Sequence, residues 1–145
     1  MTGVPHPEPP VPTPVPAAGP APTEREPLGT RMVRARLGVT TPYALTVRHR
    51  GDDVLAPLAG LVADTASRLD FFDDQAVRAV THVTARAAAA GRDPDAHLCL
   101  SGAWSSVAAE ARGIEVDQAR ISELTQTLNA ALTTYTRVLA VAPAS

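Results

Sequence analysis

A mainly α-helical, single-domain bundle of about four helices is the fold this sequence predicts, and three observations carry it. First, between about residues 116 and 141 the apolar residues Val116, Ala119, Ile121, Leu124, Leu128, Ala131, Leu132, Tyr135, Val138 and Leu139 recur at spacings of one to four. That period places most of them on one broad side of a helix, and such a face needs cover from other segments. Second, the apolar residues are rich in alanine and valine, with one Trp, two Tyr and two Phe, a composition that lets helices approach closely. Third, cap and stop residues punctuate residues 51–145 at helical lengths.

Taken in order, residues 1–27 carry ten of the fourteen prolines, whose fixed φ and missing amide hydrogens oppose both helix and central strand. A proline-rich disordered arm is expected there. Pro7 to Pro10 and Pro9 to Pro12 have the PxxP spacing of docking peptides, a weak signal in so proline-rich a tract. Residues 28–50 form an Arg-rich segment in which Val33, Ala35, Leu37 and Val39 alternate with Met32, Arg34 and Arg36. Tyr43, Leu45, Val47 and His49 alternate again after Thr41 and Pro42. A short β-hairpin over residues 31–49 is the direct reading, which would make the fold α+β. A short helix over Tyr43 to Arg48, started by Thr41 and Pro42, is the other.

Within the bundle, residues 51–145, one helix is expected from Asp53 or Pro57 to about Phe71, burying Leu58, Leu61, Val62, Thr65, Leu69 and Phe72. Asp73 is expected to cap a second, which carries Val77, Val80, Thr81 and Thr84 and stops at Gly91. Asp93 and Pro94, or Ser101, open a third that buries Trp104 and Val107 and ends at Gly113. Asp117 caps the fourth.

A net charge of -2 gives the chain no overall field for nucleic acid, although Arg31, Arg34, Arg36, Arg48 and Arg50 cluster without a carboxylate between them. Residues 107–124 resemble part of a helix-turn-helix, with Gly113 as the turn. Arg112 and Ser122 fall where that motif buries apolar side chains, and Glu115, Asp117 and Glu123 would face phosphates. Nucleic acid is therefore a disfavoured partner, served by either of these regions.

Cys99 is the single cysteine, so no internal disulfide is available. His97 and Cys99 are the one close metal-ligand pair, short of the four ligands zinc takes. Neither a metal nor a cofactor is expected. Asp70, Asp73 and Asp74 form an acidic cluster, and His82 lies beside an inward stripe, so His82, Asp73 and Asp74 are the weak catalytic candidates. No nucleophile elbow, phosphate loop or HExxH occurs, and a small helical enzyme with an unidentified substrate is the lowest of three readings.

The leading expectation is a non-enzymatic interaction or regulatory domain that self-associates. Trp104, Leu128 and Tyr135 are its candidate anchors, and Arg31, Arg34 and Arg36 its candidate charged contacts. With no apolar leader or spanning run in the sequence, a cytoplasmic location and no membrane partner are the default expectations.

Overall fold

A computed structural model describes residues 24–92 and 100–142, and among them the chain is mainly α-helical, with four helices and no strand. In chain order they are α1 (Leu28–Leu37), α2 (Tyr43–Arg48), α3 (Leu55–Arg92) and α4 (Leu100–Val141). α3 and α4 have 38 and 42 residues. At 1.5 Å per residue they are rods of about 57 and about 63 Å. They pair antiparallel as a hairpin, and α1 and α2 pack against one half of it.

The β-hairpin expected over residues 31–49 is replaced by α1 and α2. A period of two contains every i, i+4 pair, so Gly29, Val33 and Leu37 also lie on one helical face. Gly38 then ends α1 in the left-handed region, φ 68°, where its amide donates to the Arg34 carbonyl at 2.8 Å. The N-terminal end of α1 has no side-chain cap of its own. Its amides are met from α3 instead: Asp70 Oδ1 accepts from Gly29 N at 2.6 Å and Thr30 N at 3.1 Å, and Asp70 Oδ2 from Thr30 Oγ1 at 2.6 Å. α2 is the short helix that Thr41 and Pro42 signal.

α3 is capped by Asp52 and not by Asp53. Asp52 Oδ1 accepts from Val54 N at 2.9 Å and Leu55 N at 2.7 Å, and these two bonds hold the carboxyl below its ordinary pKa. Pro57 stands in the opening turn, where a missing amide hydrogen costs nothing.

The expected break at Asp73 does not occur. Asp73 is buried within α3 and receives Arg25 at 3.0 Å, so its carboxylate serves a tertiary contact instead of a helix start. Gly113 likewise fails to stop α4. An interior glycine costs about 1 kcal/mol, less than the unbroken backbone ladder and the seam against α3 supply. Two expected helix pairs thus become two long helices. The expected third-helix start at Asp93 and Pro94 lies outside the described residues.

The core sits in the half of the hairpin covered by α1 and α2. Leu55, Ala59, Val62, Ala66 and Leu69 from α3 meet Leu128, Ala131, Leu132 and Tyr135 from α4, closed by Val33, Val39 and Leu45. Residues 28–50 therefore belong to the same core as the hairpin. Tyr135, almost wholly buried, shares a 2.6 Å hydrogen bond with His49, and burial raises its pKa, with the Arg48 guanidinium opposing. Past Ala76 in α3, and before Asp117 in α4, no described residue is buried. That distal half is a two-helix arm held by a thin seam.

Candidate interaction surface

On α3, the buried residues 62, 66, 69, 73 and 76 repeat every three or four positions and form one inward stripe. A second stripe runs beside it through Leu61, Thr65, Arg68 and Phe72. α1 lies on the other flank, against Ala66 and Asp70. Arg68 and Asp70 are two positions apart, about 200° round the helix, so the second stripe faces away from α1. α4 contributes Arg120, Glu123, Leu124 and Thr127 to the same side. Together these residues line an open groove of about 620 Å³ to which neither α1 nor α2 contributes.

The groove is of mixed character, with Leu61, Phe72 and Leu124 set among Asp64, Arg68, Arg120 and Glu123. Leu61 is 48% exposed although its spacing places it with the buried stripe, and Phe72 and Leu124 are half-buried. Phe71 is 64% exposed and meets Phe72 edge-on, with centroids 5.4 Å apart. The Arg120 guanidinium lies over the Phe72 ring, 5.3 Å from its centroid. The side chains of Asp64, Arg68 and Glu123 make no hydrogen bond or ion pair among the described residues.

Two of the candidate anchors named from sequence, Leu128 and Tyr135, are not on this surface. Leu128 and Tyr135 are fully enclosed in the chain's own core, so they hold the hairpin together instead of presenting themselves to a partner. The side chain of Trp104 lies outside the described residues. Arg31, Arg34 and Arg36 are exposed on α1, but Arg34 pairs with Glu26 at 2.8 Å and Arg36 reaches Thr133 Oγ1 at 3.4 Å.

The catalytic candidates are dispersed. His82 is on the exposed distal arm, where it and Arg86 both contact Glu110 across the hairpin, His82 Nδ1 at 3.1 Å. It is not against Tyr135, whose histidine neighbour is His49. Asp70 caps α1, Asp73 holds Arg25, and Asp74 pairs with Arg78 one turn on at 2.9 Å. Each acid of the cluster thus has a structural duty. His97 and Cys99 lie outside the described residues, and among those described no three His, Cys, Asp or Glu side chains converge as a metal site.

The helical corner expected over residues 107–124, whose helix-turn-helix form the sequence itself disfavours, is also absent, because α4 passes straight through Gly113. A reading helix needs a turn before it to stand clear of its neighbour.

The groove residues Leu61, Asp64, Arg68, Phe72 and Glu123 were not among the sequence candidates for interaction. Their signal is the width of the apolar arc on α3: stripes at 61/65/68/72 and 62/66/69/73/76 side by side mean packing on two flanks, whereas a helix with one neighbour needs a single stripe. Among the described residues no helix is long and apolar enough to cross a membrane. No family model matches the chain, and comparison with curated proteins and with solved structures finds no match either.

Proposed function

We propose that the protein is a non-enzymatic interaction domain that works by association of its α3/α4 hairpin, in the first place with itself. The observation that supports this is the apolar surface the fold leaves uncovered: Leu61, Phe71, Val77, Val80 and Val116 stand open along two long helices. Apolar side chains left open to water gain free energy when another protein covers them, at roughly 25 cal/mol per Å² removed from water.

Sedimentation equilibrium of the full chain tests the reading. The mass is expected to rise with concentration from 15.1 kDa toward twice that value. A mass that stays at the monomer value over the whole micromolar to millimolar range contradicts self-association.

A further inference from the structure

Building on the association reading, we infer that a second copy of the chain seats on the groove opposite α1, with Arg68 of each copy set against Glu123 of the other. The charge pattern selects this occupant. The groove carries two carboxylates, Asp64 and Glu123, and two guanidiniums, Arg68 and Arg120, interspersed with Leu61, Phe72 and Leu124. A uniformly acidic or basic partner would satisfy one pair and repel the other. In a second copy related by a two-fold axis, Arg68 of each chain meets Glu123 of the other, the reciprocal contact an isologous interface requires.

The register follows from the hairpin. α3 and α4 run antiparallel, and Arg68 and Glu123 line the same groove from its two walls, hence stand at about the same level. A two-fold axis along the groove lays α3 of one copy on α4 of its partner at unchanged level. Arg68 then opposes Glu123 twice, once in each half. Each helix in the resulting four-helix layer is antiparallel to its neighbours, the arrangement helix dipoles favour. The side chains of Arg68 and Glu123 are exposed and without a partner among the described residues, so pairing them breaks no existing bond.

The test uses full-length protein in sedimentation equilibrium, with circular dichroism to verify helicity. Arg68→Glu and Glu123→Arg are each expected to weaken the dimer at least about tenfold, because each places like charges opposite one another at both contacts. An equimolar mixture of the two variants is expected to form a heterodimer close to wild-type affinity, since every introduced charge then meets its opposite. Only folded chains can do this, so recovery in the mixture also excludes misfolding as the cause of weakening. Variants that dimerise like wild type overturn this surface while leaving association at another face. Variants that stay monomeric when mixed overturn the Arg68–Glu123 pairing. A wild-type chain that is monomeric at every concentration overturns both this inference and the function it rests on.

Discussion

Gly29→Ala is expected to lower the unfolding free energy by about 3 kcal/mol, the upper part of the usual range for overpacking. Gly29 is buried where α1 crosses α3, and a methyl group there would press on the Ala66 carbonyl oxygen and stand 2.9 Å from its carbon. These are backbone atoms of a long helix and cannot rotate aside. α1 must lift, and lifting pulls the Gly29 and Thr30 amides from Asp70. Gly60→Ala is the control: it also lies within α3, but nothing stands within 4 Å of the added carbon, so the change is expected to stabilise by about 0.5–1 kcal/mol. Urea unfolding of the two variants measures both. A Gly29→Ala protein as stable as wild type would mean that α1 does not approach α3 this closely.

Leu128→Ala is expected to cost about 3 kcal/mol, whereas Leu139→Ala should cost under about 1 kcal/mol. Both leucines belong to the same stripe in the sequence. In the folded chain Leu128 is 0% exposed at the centre of the core, and Leu139 is 41% exposed beyond its end. Removing three buried carbons from a site hemmed by helices leaves a cavity. At Leu139, water takes the space. Equal losses at the two positions would show that the core extends to the end of α4.

The helical class was legible because Leu124, Leu128, Ala131, Tyr135 and Val138 alternate spacings of four and three, which a strand would send to opposite faces. α2 was legible too, since Thr41 and Pro42 act within one turn. The errors share one cause. Alternation at Val33, Ala35, Leu37 and Val39 reads equally as strand or helix, and what decides for helix is Asp70, forty residues away, accepting from Gly29 and Thr30. Asp73 and Gly113 carry local signals for a start and a stop. A continuous seam between two helices outweighs both, because each added turn gains backbone bonds and contacts together.

The candidate surface was less legible than the core. Leu61 and Phe72 were assigned to a buried stripe on spacing alone, and periodicity cannot say that α1 covers only the flank bearing Ala66 and Asp70. Tyr135 was weighed as an interface anchor, but its bond to His49 fixes it inside. The acidic cluster resolves into three separate contacts only when Arg25, Arg78 and the first turn of α1 are in place.

Central to this account is a continuous hairpin packed at one end by its own short helices, with the proposed second copy seated along its open face. Amide hydrogen exchange at low and at high protein concentration reads both parts at once. The expected result is slow exchange from residues 62 to 69 and 128 to 135, no rapidly exchanging gap at Gly113, and slower exchange from residues 61 to 72 and 120 to 127 as concentration rises. A fast-exchanging break around Gly113, or exchange that is the same at both concentrations, would contradict it.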